Sequence, residues 1–267
     1  MNYRKCNPQN RLSKKHVECF LAFLARRGYL ITRVDDYQLL YRVEKEDFVR
    51  YLCDLDFNTA ACSRLLKDKL FTYLALEQLG IRIPTGTYFL LGDHQYSNSI
   101  EDILADLAGA DYPIIIKPND SSLGKGVTVL TRFSIEGIKR AISDVKQYSD
   151  ILLVQEYLYG REYRLVAIEG EIVFAVEKHD SPRAPVQLSL SDSEAFVDIV
   201  SASMKHLGAI VCGYDLIVTD GTVSVLEINS NPFVFQIKQH LAQATLSAYF
   251  SRLEELLRRD NGNRTQT

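Results

Sequence analysis

Apolar positions recur along the chain with two spacings, and each switch of spacing marks a change of element. Val17, Phe20, Leu21 and Leu24 fall three or four apart, which predicts a helix over 13–28 that Gly28 can end. A short strand (29–34) is expected next, then Asp35-Asp36 and an irregular stretch to about residue 57. Within it, FVRYLCDLDF (48–57) suits a strand or a loop. Asn58 or Thr59 can cap one helix running through SRLLKDKLFTYLALEQLG, with Leu66, Leu70, Tyr73, Leu74 and Leu79 as its apolar stripe and Gly80 and Pro84 at its stop. A strand (87–91) and a helix (99–108) follow. PIIIKP (113–118) reads as a buried strand, NDSSLGKG (119–126) as a glycine-bearing loop, and VTVLT as the next strand. Then come an amphipathic helix (134–148), a buried strand (151–158), and two strands (162–169 and 171–178) hinged on Glu169-Gly170. A helix (193–206), a hairpin (211–232), a last helix (238–259) and a polar tail expected to be disordered (260–267) complete the chain. Helices mixed with hairpins predict an α+β or α/β fold, not a bundle or a sandwich.

The hairpin breaks its own pattern. VCGYDLIVTDGTVSVLEINSNP is apolar and β-branched around the turn-forming Asp220-Gly221, yet Asp215, Glu227 and Asn229 interrupt it. Glu227 and Asn229 are two apart and share a strand face. Carboxylates in so apolar a run need a partner, and three converging oxygen-bearing side chains suit a hard divalent cation. A two-residue loop would pair Thr219 with Thr222 and Asp215 with Leu226, leaving Asp215 and Glu227 on opposite faces. A metal site therefore predicts Asp215 opposite Glu227, through a loop longer than two residues or a bulge, with the longer loop the expectation adopted here. Alone, the stretch also fits an ordinary hairpin with two solvated acids.

Bulk properties narrow the class. A length of 267 residues, 46% hydrophobic and 24% charged, suits a soluble globular protein with one large or two modest domains. A net charge of −3 argues against a nucleic-acid partner. No apolar run is long enough for a membrane span, and the basic start MNYRKCNPQNRLSKKH has no apolar core after it. Five scattered cysteines without a CxxC exclude a disulfide framework and fit a reducing cytoplasm. No GxGxxG follows the first strand, and there is no GxxxxGK[ST], so a doubly wound nucleotide fold is excluded.

Three further pieces carry chemistry. Lys117 ends an IIIK strand and needs a partner, and its loop offers backbone amides, hydroxyls and Lys125 to a phosphate. A snorkelling lysine before a plain loop is the other reading. LVQEYLYGREYRL turns at Gly160 and could be a hinge whose backbone pairs with a purine edge, with Glu162 placed for ribose hydroxyls; an ordinary strand turn also fits. Lys69 on a helix, and Arg164 and Lys178 on strands, either reach a site or lie on solvated faces.

Their order is the specific signal. Across about residues 58–258 the chain resembles the ATP-grasp carboxylate–amine ligases, on KDKLFTYLALEQLGIRIPTG, YPIIIKPNDSSLGKGV, LVQEYLYGREYRL and DLIVTDGTVSVLEINSNP. It is similar in particular to the ligase part of bifunctional glutathione synthases, to cyanophycin synthetases and, more distantly, to ribosomal-protein glutamate ligases. The resemblance implies an α+β ATP-grasp fold: a shortened N-terminal region (1–57), then two parts (58–158 and 159–259) that sandwich ATP. It implies that Lys69 and Lys117 contact the phosphates and that Ser122, Leu123, Gly124, Lys125 and Gly126 close over them. Gln155, Glu156, Tyr157 and Leu158 would frame adenine, and Glu162 the ribose. Asp215, Glu227 and Asn229 would hold one or two Mg2+, for which Mn2+ can substitute, while Arg164, Lys178 and Arg183 would face the transferred phosphate. The implied reaction turns a carboxylate into an acyl phosphate that an amine then displaces. The substrates would be small carboxylates and amines, the amine also on a peptide or carrier protein.

Departures from the family pattern fall on the substrate side. The front is short, the region after Lys178 is brief (HDSPRAPVQLSLS), and Phe233 stands where relatives often have Gly after Asn-x-x-Pro. They motivate a homodimer that completes the site. They also motivate a second reading, an ATP-binding module with a regulatory or partner-subunit role.

Overall fold

The computed structural model describes residues 14–34, 40–93, 95–178, 190–232 and 243–259. Among these lie seven helices and three antiparallel sheets, as the α+β reading requires.

The N-terminal sheet has the order β1-β2-β3: β1 (Leu30–Arg33), β2 (Tyr41–Lys45) and β3 (Phe48–Leu52). β2 thus falls in the stretch expected to be irregular, while β3 lies where a strand or a loop was expected. Tyr41 and Val43 alternate inward on β2, but over five residues that period is too short to read from sequence. This sheet packs with α1 (Lys14–Arg26) and α7 (Gln243–Arg259) around Phe20, Leu24, Val43, Tyr249 and Leu253.

The central sheet has the order β11-β10-β8-β9: β8 (Arg161–Ile168), β9 (Glu171–Lys178), β10 (Val211–Thr219) and β11 (Thr222–Asn229). One face, with Leu165, Tyr214, Leu216 and Val225, packs on α2 (Ala60–Lys67) and α6 (Leu190–Leu207). The other face is divided. Val166, Ile168 and Val211 join the core under α1 and α7, but further along the same face stand Glu162, Arg164, Asp215 and Glu227. The period-2 alternation continues across this change, so the same strands leave the core and enter a cleft.

The third sheet has the order β4-β7-β5-β6: β4 (Gly86–Leu90), β5 (Ile114–Pro118), β6 (Thr128–Leu130) and β7 (Ile151–Glu156). Ile114, Ile116, Leu152 and Val154 are buried beneath α4 (Ile100–Ala108) and α5 (Ile135–Val145).

The long helix expected from residue 58 onward is two helices. α2 ends at Lys67, Asp68 turns to an extended conformation, and α3 (Lys69–Glu77) starts anew. Asp68 accepts from the Phe71 N–H at 2.9 Å and so caps α3. The apolar stripe spans both helices without a gap, which is why periodicity missed the break. Among the described residues no helix is long and apolar enough to cross a membrane. The expected tail, 260–267, lies outside the described residues.

Candidate active site

A cleft of about 320 Å³ collects residues from both larger sheets. Ile115, Lys117 and Gln155 line it from the third sheet, on the face opposite the α4/α5 core. Glu162, Lys178, Asp215, Ile217 and Glu227 line it from the central sheet. Lys69 enters from α3, Ser122, Leu123 and Gly124 from the loop after β5, Glu156 from the end of β7, and Tyr157 and Leu158 from the passage between β7 and β8.

Sheet register builds the charged wall. Glu227 stands opposite Asp215, and Asp215 opposite Arg164; two residues along, Ile217 is opposite Glu162 and Glu162 opposite Lys178. Directly opposed residues point to one face, and Asn229, two beyond Glu227, shares it. The hairpin loop, however, has only two residues: Thr219 pairs with Thr222, and Asp220 and Gly221 take φ of 50° and 75°. The longer loop is therefore not formed. A bulge does its work instead, pairing Leu216 with Val225 and Asp215 with Glu227, so that Leu226 is the extra residue. The Asp-Gly turn matches strand twist at two residues, so the correction falls within the ladder.

The cations sit on these acids. Both arms of Arg164 go to Asp215, Nε to Oδ1 and Nη2 to Oδ2 at 2.7 Å. Lys178 Nζ is 2.9 Å from Asp215 and 3.6 Å from Glu162. Arg164 stands beside Asp215 on the neighbouring strand and is not among the residues that line the cleft. Lys69 is not on a solvated face: it is 9% exposed, 3.4 Å from Glu227, and donates to the Ser121 carbonyl at 2.7 Å. The break at Asp68 puts it there, and Asn119 holds the break in place by accepting from the Leu70 N–H at 2.7 Å. Lys117 Nζ donates to the Tyr73 hydroxyl at 2.8 Å. Burial and the charge of Lys69 bring Lys117 down to about 8, with Glu227 acting the other way.

The glycine loop folds on itself. Ser121 Oγ donates to the Lys125 carbonyl at 2.9 Å, and Leu123, Gly124 and Gly126 take φ of 60°, 71° and 70°. Lys125 and Gly126 do not line the cleft. Gly126 shapes the loop, since a Cβ there would meet Pro118 Cγ at 2.7 Å. In the hinge, the Glu156 carboxylate accepts from the Thr85 N–H at 2.8 Å, which ties it to the neighbouring segment. Gln155 Nε2 donates to the Pro84 carbonyl at 3.3 Å, while its Oε1 is buried with no partner among the described residues. A buried acceptor left alone is costly, and a ligand amino group in the cleft would relieve it.

Asn229 lines an adjoining cavity of about 430 Å³ with Asp54, Asp56, Asp120, Glu227 and Asn231. The two spaces share Lys69, Ser121, Ser122 and Glu227. Asp54 Oδ1 lies 3.0 Å from His16 Nε2 and accepts from the Leu55 N–H at 2.8 Å and Asn231 Nδ2 at 2.6 Å. Burial pushes the Asp54 carboxyl up, but these bonds outweigh it and hold it low. Arg183 lies outside the described residues. Among the described residues, no three His, Cys, Asp or Glu gather to hold an ion by themselves. Two carboxylates and an amide oxygen do fit Mg2+, which commonly takes one or two carboxylates and completes its shell with phosphate oxygens and water.

Sequence reasoning gave no site role to Asn119 or Asp54, placed Tyr73 only in an apolar stripe and took Asn58 only as a cap candidate. Thr59 alone caps α2. Asn58 instead accepts from the Ile210 and Val211 N–H groups and donates to the Val211 and Ser230 carbonyls. Two cap candidates side by side were the one available hint that the spare residue had another task.

Residues 66–246 match the RimK-like ATP-grasp domain. A probable alpha-L-glutamate ligase of Shewanella pealeana is 30% identical over 191 residues, 66% of this chain and 39% of the relative. A cyanophycin synthetase of Trichormus variabilis is 31% identical over 111 residues, 42% of this chain and 11% of the relative. The chain thus spans about two fifths, or less, of the length of these relatives. The structure of D-alanine–D-alanine ligase from Bacillus anthracis complexed with ATP superposes with a TM-score of 0.60 at 18% identity, covering 76% of this chain and 66% of that one. With its ATP-grasp fold and a match over most of its length, the chain belongs to the RimK-like ATP-grasp family.

Proposed function

We propose that the chain is an ATP- and Mg2+-dependent ligase that joins a carboxylate, on an amino acid or peptide, to an amine by way of an acyl phosphate. The observation that carries this reading is the meeting of Lys69, Lys117, Asp215 and Glu227 in one cleft beside a glycine loop, in a chain of this family. Lys69, Lys117 and the Ser122–Gly124 segment hold the phosphates. Gln155 accepts from the adenine amino group, Glu156 to Leu158 flank the base, and Glu162 takes the ribose. Asp215, Glu227 and Asn229 hold the metal, which when bound neutralises charge on the transferred phosphoryl group. Lys178, in the cleft, faces that group, with Arg183 assigned to the same task. Arg164 orients Asp215 from the neighbouring strand. Lys125 and Gly126 set the loop rather than touch the nucleotide. The adjoining cavity, sharing Glu227 and Ser122 with the cleft, receives the acceptor amine.

The test is phosphate release from Mg-ATP with pooled amino acids and short peptides. ADP and phosphate that appear only with a particular carboxylate–amine pair support the ligase. ATP bound without turnover in every pool counts against it.

A further inference from the structure

Lys117 and the bulge at Leu226 belong to different sheets, and one side chain joins them. Tyr73, on α3, is 4% exposed, and its ring packs with Leu70 and Leu153. Its hydroxyl accepts from Lys117 Nζ at 2.8 Å and donates to the Leu226 carbonyl at 2.6 Å. Lys117 Nζ also lies 5.3 Å from the centre of the Tyr73 ring. The carbonyl that Tyr73 reaches is a special one. Leu226 is the extra residue of the bulge, and such a residue is left out of ladder pairing. Tyr73 supplies the donor that the ladder withholds. Beside it, the Val225 N–H donates to the Arg82 carbonyl at 2.9 Å, so the segment that follows α3 grips the bulge as well. β11 is an edge strand, and this grip comes from its open side.

The bulge decides which way Glu227 points. With an unbroken ladder behind the two-residue turn, Asp215 would face Leu226 and Glu227 would turn to the opposite face. We infer that Tyr73 is a positioning residue: its hydroxyl sets Lys117 Nζ and the Leu226 bulge against each other. It thereby fixes the spacing between the phosphate-facing lysine and the Asp215–Glu227 pair. The inference rests on the reading of the cleft as an ATP and Mg2+ site.

Its test is ATP binding by titration calorimetry at a series of Mg2+ concentrations, which needs no knowledge of the other substrates. Tyr73→Phe keeps the ring and its packing. It is expected to raise the Mg2+ concentration for half-maximal ATP affinity roughly five- to tenfold, the size set by losing one or two hydrogen bonds. Tyr112→Phe is the matched control; it loses a hydroxyl bonded to the Leu107 carbonyl at 3.0 Å and should leave the Mg2+ dependence unchanged. Deleting Leu226 gives a regular ladder in which Asp215 still faces Glu227 with no bulge to hold. In that background Tyr73→Phe should shift the Mg2+ requirement about twofold or less. A general loss of packing would give the same shift in both backgrounds, and that result overturns the inference. So does a wild-type Mg2+ dependence in Tyr73→Phe, with the site reading left standing. A wild-type chain that binds no ATP at any Mg2+ concentration instead sinks the site reading, and this inference with it.

Discussion

Two residues carry the sharpest expectations. Asp215, with a side chain 8% exposed, is paired with both Arg164 and Lys178, whereas Glu227 has Lys69 at 3.4 Å. Glu227→Gln keeps the shape and removes the charge. It should lower Mg2+-dependent turnover by about 100-fold or more, the scale of losing a key transition-state contact, with only a small change in melting temperature. Activity near wild type would dismiss the metal assignment. Lys117 has the clearest pH signature. Its amine, at about 8, loses its proton in the folded chain between about pH 8 and 10.5, where an unfolded lysine still holds it. In that window the unfolded chain binds more protons, so the Lys117 contribution to stability rises with pH. Phosphate binding runs the other way, because the charge is lost. ATP affinity should weaken severalfold from pH 7 to 9, and Lys117→Arg, which stays charged, should remove most of that slope. Calorimetry across this range checks both.

At the scale of elements, breaks and close approaches matter more than regular stretches. Asp68 starts α3, and Asn119 ties that start to the end of β5. Asp68→Ala removes the cap and should cost about 1 kcal/mol of stability. Because Lys69 is the next residue, the KM for ATP should also rise a few-fold; a loss of stability with unchanged KM would detach the helix start from the site. Gly160 sits where β8 begins beside the end of β10. A Cβ there would lie 2.3 Å from the Val218 carbonyl oxygen, and the Thr219 hydroxyl donates to the Tyr159 carbonyl at 2.9 Å next to it. Gly160→Ala should destabilise by about 1–3 kcal/mol through overpacking, a fall of roughly 2–12 °C at this chain size. An unshifted melting curve would show that the passage yields easily.

For the whole molecule, the cleft is shared property. One wall is the third sheet, the other the central sheet, and α3 spans them through Leu70, Tyr73 and Lys69. A ligand contacting both walls should stabilise the chain as a unit. At a hundredfold excess over Kd, Mg-ATP should add about 2.7 kcal/mol. ATP with EDTA should add less, and Glu227→Gln should bring the Mg-ATP shift close to the EDTA value. Differential scanning fluorimetry measures all three. Equal shifts with and without metal would separate nucleotide binding from the hairpin.

The sequence by itself determined which polar side chains were on offer and singled out most of those that line the cleft. Lys117, the glycine loop, Gln155 and the interrupted hairpin were legible because each breaks an otherwise regular apolar pattern, and a local pattern is a property of neighbouring residues. A fold of mixed helices and strands, α+β or α/β, followed from the same periods. The tertiary structure alone decided how these pieces meet. Nothing local in KDKLFTYL shows that the chain restarts its helix at Asp68, because the apolar stripe continues across the break. Nothing in TVSVLEIN shows the bulge, because one extra residue changes pairing and not composition. Tyr73 reads as one more apolar residue of a helix until its hydroxyl is placed between Lys117 and Leu226. The hairpin needed Asp215 opposite Glu227, and it reached that state by a bulge held from a distant helix rather than by a longer loop. Such long-range contacts have no local signature, and here they set the geometry of the site.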